Sequence, residues 1–246
     1  MAKLGIIPAR YASTRFPGKP LIDIDGKTMI QRVYEQACSA SSLDKVVIAT
    51  DDTRIIAEIA RFGGEYVLTR ADHQSGTDRC AEVASKIAGF DVIINIQGDE
   101  PYIDPVQINL LSSCFENPEV ELATLIKKIH DNEELFNHNI PKVVINAQGE
   151  AIYFSRHPIP FVRNSEQENW ATAHQFYKHI GIYGYTRDTL LQITRMEPSS
   201  LELAESLEQL RWIENGFKIQ TKTTALETIA VDTPEDLAKI IRLKGN

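Results

Sequence analysis

The chain begins, after three residues, with the stretch Leu4-Gly5-Ile6-Ile7-Pro8-Ala9-Arg10-Tyr11-Ala12-Ser13-Thr14-Arg15-Phe16-Pro17-Gly18-Lys19-Pro20-Leu21. Its apolar first part predicts a short buried strand over 4–7, which Pro8 ends. The residues Pro17-Gly18 and Pro20 favour an irregular, non-helical loop after that strand. Because open α/β sheets bind ligands in the loops at the carboxyl ends of their strands, we expect this loop to bind a ligand.

This loop carries three positive charges, on Arg10, Arg15 and Lys19, in a chain whose formal net charge is −8. Such a local excess of positive charge predicts a polyanionic ligand, most simply a triphosphate. The loop is not a P-loop, because a proline follows Lys19, and it lacks the GxGxxG pattern of dinucleotide-binding proteins. Side chains must therefore neutralise much of the ligand charge. A solvated basic surface loop is the alternative interpretation.

The composition is that of an ordinary globular protein, with 246 residues, 43% hydrophobic and 24% charged. A chain of this length can bury a full core as one domain, or as one domain with an insertion. The negative net charge argues against nucleic acid or an anionic membrane surface as the main partner.

The cysteines and the apolar runs favour a location in the reducing cytoplasm. Cys38, Cys80 and Cys114 are far apart and lack CxxC spacing, so neither a disulfide framework nor a zinc site is predicted. The first apolar run is too short for a signal peptide, and no stretch approaches the roughly 18 apolar residues of a membrane span. We therefore expect a cytoplasmic protein without a membrane partner.

Apolar runs alternate with helical patterns after the opening loop. We predict strands at 45–50, 66–68 and 91–96 and helices at 29–39, 53–62 and 78–87. Thr28 is the expected N-cap of the first of these helices. The alternation implies parallel pairing with helices on both faces, which is an α/β fold with a doubly wound, mostly parallel Rossmann-like sheet.

The alternation is interrupted in the second half of the chain. A β-hairpin is predicted across 142–155, and 178–185 alternates like a strand. We interpret approximately 128–186 as an inserted β-rich segment that covers the site and forms a dimer, within a single domain 1–246.

A helix is predicted in the second half of 198–215. Leucine and isoleucine at helical spacing are expected in its core-facing stripe, namely Leu203, Leu207, Leu210 and Ile213. Glu205 is expected on its solvated face.

Three further segments carry residues suited to ligand binding. Asp99 follows the most hydrophobic strand, where a carboxylate can bind Mg²⁺, although a turn or capping role is an equal alternative. Ser75-Gly76-Thr77 precedes a helix whose first N–H groups are free donors, and Thr77 is the expected cap. His179, Tyr183 and Tyr185 share one face of a strand that could bind a polyhydroxylated acid.

Seven segments, taken together, resemble the nucleotide-sugar cytidylyltransferase family over about residues 3–240. They are IIPARYASTRFPGKPL at 6–21, SGTDR at 75–79, QGDEP at 97–101, YFSR at 153–156, HIGIYGY at 179–185, LEQLR at 207–211 and VDTPED at 231–236. The fold that this resemblance implies is of the nucleotide-diphospho-sugar transferase type.

The resemblance also implies roles for individual residues. The implied nucleotide contacts are Pro8, Ala9, Arg10, Ser13, Thr14, Arg15, Lys19, Ser75, Gly76 and Thr77. The implied contacts to the second substrate are Arg79, Gln97, Arg156, His179, Tyr185, Glu208 and Gln209. The implied catalytic residues are Arg10, Lys19, Asp99 and Asp232, with Asp99 and Asp232 as ligands of Mg²⁺. From the sequence alone, Asp232 or Thr233 is an N-cap ahead of Pro234.

The reaction that the resemblance implies joins CTP and a 3-deoxy-octulosonic acid to give the CMP-sugar and pyrophosphate, for lipopolysaccharide assembly, in a homodimer. The motif set favours 3-deoxy-D-manno-octulosonate over sialic acid, and the 8-amino analogue stays open. A non-catalytic nucleotide sensor is a rival, but it predicts the loss of Lys19 or of a metal carboxylate, and these residues are present. An NAD-dependent oxidoreductase is disfavoured because GxGxxG is absent.

Overall fold

The computed structural model describes residues 1–12, 16–227, 229–231, 233 and 235–237. Its strands are β1 (Lys3–Pro8), β2 (Asp23–Ile24), β3 (Lys27–Thr28), β4 (Lys45–Thr50), β5 (Tyr66–Leu68), β6 (Val92–Asn95), β7 (Leu122–Lys128), β8 (Lys142–Ile145), β9 (Ala151–Ser155), β10 (Tyr177–Thr186) and β11 (Gln220–Thr223). Its helices are α1 (Met29–Cys38), α2 (Thr53–Phe62), α3 (Gly76–Lys86), α4 (Pro105–Ser112), α5 (Asn132–Phe136), α6 (Trp170–Ala173), α7 (Arg187–Ile193), α8 (Ser200–Glu205) and α9 (Gln209–Glu214).

The central sheet has the strand order β11-β7-β10-β6-β1-β4-β5. β1 lies between β4 and β6 and is parallel to both, and β5 continues parallel to β4. The chain therefore runs outward from β1 through β4 to β5 and returns to β6 on the other side of β1. This reversal is a topological switch point, and it lies at the carboxyl ends of β1 and β6. The predicted doubly wound, mostly parallel sheet is confirmed.

The hydrophobic core lies on both faces of the sheet. Ile7 and Ile48 pack on one face against Ile30 of α1, whereas Ile6 packs on the other face against Val83 of α3. The alternation within β1 follows from the two-residue period of a strand. These side chains are fully buried, and each contributes about 1.5–3 kcal/mol of hydrophobic stabilisation.

Strand β10 shows where the predicted inserted segment differs from the structure. β10 is antiparallel to both β6 and β7 and therefore lies inside the central sheet. The hairpin of β8 and β9 pairs with the first residues of β10. We call the segment 129–176 between β7 and β10 the excursion, and its strands β8 and β9 branch from the sheet at β10. The predicted inserted segment 128–186 contains this excursion together with β10, and its role in covering the site and forming a dimer stays a prediction.

The helix ends follow the sequence signals with two exceptions. Asp52 caps α2 by accepting a hydrogen bond from the Arg54 N–H, and Gly63 ends that helix at φ +74°. Thr28 is the N-cap residue of α1, as predicted, but its hydroxyl donates to the Glu58 carboxylate at 2.7 Å instead of accepting from the helix. Charge makes that carboxylate a strong acceptor.

The other exception is the start of α3. Ser75, rather than Thr77, caps this helix in a reciprocal arrangement with Asp78. The Ser75 hydroxyl accepts from the Asp78 N–H at 3.1 Å, and the Asp78 carboxylate accepts from the Ser75 N–H at 3.0 Å. The helix therefore begins two residues before the predicted start, and the Thr77 hydroxyl is left to bond elsewhere.

The predicted helix in 198–215 is two helices, and α7 had no sequence prediction. Ser206 adopts φ +52° and separates α8 from α9. Leu203 is 70% exposed, so its predicted place in the core is wrong, whereas Leu207 and Leu210 are buried. The regular spacing of the leucines continues across the break at Ser206, so the sequence pattern does not show where the first helix ends. None of the helices in the described residues has the length and apolarity that crossing a membrane requires.

Candidate active site

A cleft of about 400 Å³ opens at the switch point between β1 and β6. Its walls come from the loop after β1, the 3-10 turn Lys19–Leu21, the start of α3 and the loop after β6. The lining residues are Pro8, Ala9, Arg10, Ala12, Lys19, Pro20, Gly76, Gln97, Gly98 and Asp99. The fold thus brings together predicted residues from three separate motifs.

The two strand-end loops approach one another closely at Gly98. A Cβ atom at this position would lie 2.8 Å from the backbone oxygen of Pro8. Gly76 faces the same proline, since a Cβ there would lie 3.2 Å from Pro8 Cγ. Glycine is therefore required at 98 by backbone contact, which explains the residue between Gln97 and Asp99 in physical terms.

Lys19 and Asp99 form the charged centre of the cleft. The Lys19 ammonium lies 2.8 Å from Asp99 Oδ2, and the two side chains are 14% and 26% exposed. The turn that holds Lys19 begins at Gly18, whose φ is +74° and whose N–H donates to the Tyr11 carbonyl at 3.0 Å. A cation and a carboxylate thus face the same space, where they can bind a phosphate and a cation, respectively.

Arg10 is the second cation of this cleft. Its side chain is exposed, and its guanidinium donates a long hydrogen bond to the His73 carbonyl at 3.4 Å. A long, exposed guanidinium in this position can turn toward a phosphate with little loss of existing bonds. The predicted nucleotide contacts Ser13, Thr14 and Arg15 lie outside the described residues.

The loop after β6 also carries a second acidic residue, Glu100. It is 6% exposed, and burial together with the charge of Asp99 raises the pKa of its carboxyl to about 8. Glu100 is therefore protonated at neutral pH. Asp99 is the residue of this motif that presents a carboxylate to the cleft.

A segment from the end of the chain joins the cleft at Asp99. The Val231 N–H donates to the Asp99 carbonyl at 2.9 Å, and Val231 is fully buried against Ile24 and Met29. Asp232, the predicted second metal carboxylate, is the next residue in the sequence but lies outside the described residues. The chain is therefore fixed next to Asp99 one residue before the predicted ligand.

The donor atoms of the cleft suit a hard cation. Mg²⁺ takes one or two carboxylates and completes its shell with phosphate oxygens and water. Asp99 offers such an oxygen beside two cations that can hold the phosphates. Within the described ranges, no cluster of three or more His, Cys, Asp or Glu residues could hold a metal ion, so a zinc-type site is not built there.

A second group of polar residues lies beside α3 and β10. The Thr77 hydroxyl donates to Glu208 Oε2 at 2.7 Å, which joins the start of α3 to the start of α9. Burial raises the pKa of the Glu208 carboxyl, and hydroxyls of Thr77 and Ser75 oppose that rise. Gln209 is 5% exposed, and its amide nitrogen has no hydrogen-bond partner among the described residues. A buried donor without a partner is suited to a ligand oxygen.

Aromatic rings support this second group. Tyr183 and Tyr185 stack at 6.0 Å, and both meet the edge of Trp212 at 5.1 and 5.8 Å. Burial raises the pKa of both tyrosines well above 10, so both hydroxyls keep their protons. The predicted shared face of His179, Tyr183 and Tyr185 is confirmed, since the His179 ring lies 5.1 Å from that of Tyr183.

The His179 side chain contacts residues of β7 and β9. Its Nε2 lies 3.0 Å from the Thr124 hydroxyl, and its ring meets the Phe154 ring edge-on at 5.2 Å. Desolvation lowers the pKa of His179 to about 3. Gln97, in the loop after β6, donates from its side-chain amide to the Gly181 carbonyl at 2.8 Å. Gln97 thereby connects the loop after β6 to β10.

Arg79 does not face the cleft. Its side chain is 1% exposed, lies 2.8 Å from the Asp51 carboxylate and donates at 2.5 Å to the Thr69 hydroxyl. Its contact with substrate or phosphate stays a prediction, and in this structure Arg79 is not among the residues that line the cleft. The physical reason is that a buried guanidinium needs its charge paired, and Asp51 at the end of β4 supplies that pair.

Arg156 holds the junction between α8 and α9. Its guanidinium donates to the carbonyls of Glu205, Ser206 and His138 at 2.7, 3.1 and 3.2 Å. The Glu205 carboxylate in turn accepts from the Ser155 hydroxyl at 2.7 Å and from the Arg156 N–H at 2.9 Å. The prediction that Glu205 lies on a solvated face is wrong, and no local sequence signal indicated this pairing. The contact of Arg156 with a substrate carboxylate stays a prediction.

A sheet with a cationic cleft and one carboxylate at its switch point defines an α/β protein that binds a phosphorylated ligand. A family model described as "Cytidylyltransferase" matches residues 4–243. The chain belongs to the cytidylyltransferase family and is therefore a nucleotidyltransferase.

Individual relatives agree with this assignment. A protein of Cytophaga hutchinsonii is 59% identical over 239 residues, which cover 96% of this chain and 95% of the relative, and one of Bacteroides thetaiotaomicron is 56% identical over 241 residues, with 96% of each chain covered. Both are named 3-deoxy-manno-octulosonate cytidylyltransferase.

Solved structures show the same fold. A CMP:2-keto-3-deoxy-manno-octonic acid synthetase complexed with CTP is similar with a TM-score of 0.93 and 43% identity, over 100% of this chain and 99% of that one. A 4-diphosphocytidyl-2C-methyl-D-erythritol synthase from Anaerococcus prevotii has a TM-score of 0.63 at 11% identity, over 100% of this chain and 96% of that one, which shows the fold alone.

Proposed function

We propose that this protein transfers CMP from CTP to the anomeric hydroxyl of 3-deoxy-D-manno-octulosonate (Kdo), giving CMP-Kdo and pyrophosphate. The observation that carries the proposal is the meeting of Lys19 and Asp99, 2.8 Å apart, in the switch-point cleft. The names of the relatives with more than half of their residues identical supply the substrates. We infer Kdo rather than its 8-amino analogue or sialic acid on those names.

The reaction needs a neutralised triphosphate and an aligned nucleophile. Lys19 and Arg10 would neutralise the phosphates and the charge that develops on the leaving pyrophosphate. The anomeric hydroxyl would attack the α-phosphorus in line and displace pyrophosphate, so that one P–O bond forms as another breaks. Holding the two substrates at the cleft of one rigid sheet reduces the entropic cost of this step.

Asp99, and Asp232 next to Val231, would hold Mg²⁺. When bound, the ion supplies charge neutralisation at the phosphoryl oxygens and a lower pKa for the attacking hydroxyl. Asp99 can contribute its carboxylate once Lys19 bonds to phosphate instead. The backbone bond between Val231 and Asp99 supports this assignment because it keeps the two segments together.

The sugar acid would be held by the second polar group. Glu208 and the partnerless amide of Gln209 can bond sugar hydroxyls, and the hydroxyl of Tyr185 and the neutral His179 lie on the adjoining face of β10. The contact of Arg156 with the sugar carboxylate belongs to the same proposal. A site whose buried groups hydrogen-bond substrate hydroxyls discriminates strongly against an analogue that lacks those hydroxyls.

We also infer a homodimer, a cytoplasmic location and a product used in lipopolysaccharide assembly. Support for an interface comes from apolar side chains on the excursion 129–176: Phe161 is 72% exposed and Ile152 is 54% exposed. Light scattering of the purified protein tests the dimer. A lid motion of the inserted segment 128–186 is tested by limited proteolysis of that segment, which should slow when CTP and the sugar acid are added.

The experiment that tests the proposed function is pyrophosphate release with CTP and Mg²⁺. Kdo, 8-amino-Kdo and sialic acid are offered in parallel, to the wild type and to Asp99→Asn. We expect turnover with Kdo that collapses in the variant. Turnover with another acid alone would keep the mechanism and change the substrate, whereas CTP binding without turnover on any acid would identify a nucleotide sensor.

A further inference from the structure

Four charged side chains form a cluster at the end of β7 and the start of β10, outside the residues that line the cleft. They are Lys127, Lys178, Glu134 and Glu227. The antiparallel register places Lys178 directly opposite Lys127. Like charges in this position repel one another unless an anion lies between them. The pairing of β7 with β10 therefore requires an anion near these two lysines.

Glu227 meets this requirement with one carboxylate. Its Oε1 accepts from Lys178 at 2.6 Å, and its Oε2 accepts from Lys127. Lys178 also donates to Glu134 of α5 and is 6% exposed. A cation this buried depends on its partners, unlike an exposed ion pair. Glu227 thus neutralises two neighbouring lysines. Its side chain is held in place by one contact to β10 and one contact to β7.

Glu227 lies on the segment that leads from β11 to the cleft. This segment is fixed at its start, where the Thr224 N–H donates to the Ile126 carbonyl at 2.9 Å. It is fixed at its end, where the Val231 N–H donates to the Asp99 carbonyl at 2.9 Å. Ala225, Ile229 and Ala230, which lie between these two points, are exposed. Glu227 is the charged anchor between them.

We propose that Glu227 is a positioning residue for the cation site of the cleft. By bridging Lys127 and Lys178, it holds the segment whose Val231 N–H bonds to the Asp99 carbonyl. The inference rests on the proposed function, in which Asp99 and Asp232 hold the divalent cation. Glu227 touches neither substrate nor cation in this proposal, and its effect passes through the backbone.

The test measures Mn²⁺ binding directly, by the loss of the free-ion electron paramagnetic resonance signal in the presence of CTP. The full chain is compared as wild type, Glu227→Gln and Asp99→Asn. Glu150→Gln is the matched control, because Glu150 also pairs with a lysine, Lys218 at 3.0 Å, but lies beside Gln220 at the start of β11 rather than on the segment 224–231. Binding of CTP without metal and the KM for Kdo are measured on the same samples.

We expect Glu227→Gln to raise the Mn²⁺ dissociation constant about tenfold, at the lower end of the effect of losing outer-shell support for a metal site. CTP binding without metal and the KM for Kdo should stay within about twofold, because the other cleft walls are unchanged. Lys127→Gln, which leaves the Lys178–Glu134 pair in place, should shift the constant in the same direction and serves if Glu227→Gln does not fold.

Three results overturn the inference. An unchanged Mn²⁺ constant in both Glu227→Gln and Lys127→Gln shows that the bridge does not position the site. Equal losses in Glu227→Gln and Glu150→Gln, or in metal-free CTP binding, show a general loss of stability instead. If Asp99→Asn binds Mn²⁺ as the wild type does, the metal site of the proposed function is wrong, and the inference fails with it.

Discussion

The backbone N–H of Val231 donates a hydrogen bond to the backbone carbonyl of Asp99 at 2.9 Å. This bond joins the segment that follows β11 to the loop after β6. Every residue of β6 is buried in the sheet. Because the bond uses main-chain atoms, it is independent of the Asp99 carboxylate. The function of that carboxylate can therefore be changed without removing the connection.

Asp99→Asn tests the carboxylate in this way. We expect kcat/KM for CMP-Kdo formation to fall about 10²- to 10³-fold, because the variant removes the charge that holds the cation. The melting temperature should change little, since the asparagine keeps the carbonyl that Val231 bonds. Steady-state pyrophosphate release and thermal unfolding are measured together. Retained activity at ordinary Mg²⁺ concentrations would contradict the proposed role.

Lys19→Met tests the neutralisation of the triphosphate. We expect kcat/KM for CTP to fall about 10²-fold, because a preorganised cation near the phosphates is lost from a partly buried site. Lys27→Met is the control, since Lys27 also forms an ion pair, with Glu35 at 2.6 Å, but with both side chains exposed. Equal kinetic effects in the two variants would count against a specific role of Lys19.

The bond between Thr77 and Glu208 is tested by a double-mutant cycle. Glu208→Gln and Thr77→Val should each raise the KM for Kdo more than the KM for CTP. The coupling between them should be about 1 kcal/mol, as expected for a hydrogen bond to a buried carboxyl. Independent, additive effects of the two substitutions would show that this bond does not position Glu208 for the sugar acid.

Gly98→Ala tests the close approach of the two strand-end loops. The new Cβ would lie 2.8 Å from the Pro8 oxygen, so we expect a loss of about 1–3 kcal/mol in the free energy of unfolding. Gly181→Ala is the control for stability, because its Cβ would meet nothing nearer than Gln97 Cγ at 4.0 Å. Denaturant unfolding of both variants gives the comparison, and equal stability would show that the loops separate freely.

His179 predicts a pH dependence of stability. Its pKa is about 3 in the folded protein, below the ordinary value of 6.5. The unfolded chain therefore binds more protons as the pH falls below 6.5, and the folded state loses at most about 1.4 kcal/mol per pH unit from this group until the pH nears 3.

The measurement is denaturant unfolding between pH 7 and 4.5. His179→Gln should show a shallower decline than the wild type over this interval. The imidazole nuclear magnetic resonance signals of His179 should also stay those of a neutral ring. Titration of His179 near pH 6.5 would contradict the burial of its ring.

The residues of the cleft could be found from the sequence because their signals are local. Apolar runs indicated β1 and β6, and glycine and proline indicated the loops after them. The three motifs that contain Arg10, Gly76 and Asp99 follow strands or begin a helix, and the switch point of a doubly wound sheet collects such positions. The fold class and the expected ligand-binding loop after β1 therefore followed from the periods and breaks of the chain. The roles of the individual cleft residues followed from the resemblance to a known family.

The partner of each polar side chain could not be found in this way. Arg79 pairs with Asp51, Thr28 with Glu58, and Glu205 with the end of β9, each across elements that are distant in sequence. A motif shows that a residue matters, but the rotation of its helix decides whether its side chain faces the cleft or the interior. Local β-propensity likewise does not determine that β10 pairs antiparallel with β6 and β7 inside the sheet.

The sequence by itself thus determined the alternation of strands and helices, the cationic loop and the chemistry available at the strand ends, because these depend on residues within a few positions of one another. Only the tertiary structure decided that Val231 meets Asp99, that Arg79 is buried and that Glu227 bridges two lysines. Those pairings depend on distances in space, which arise when separate elements pack on a common sheet and each buried charge must find a partner.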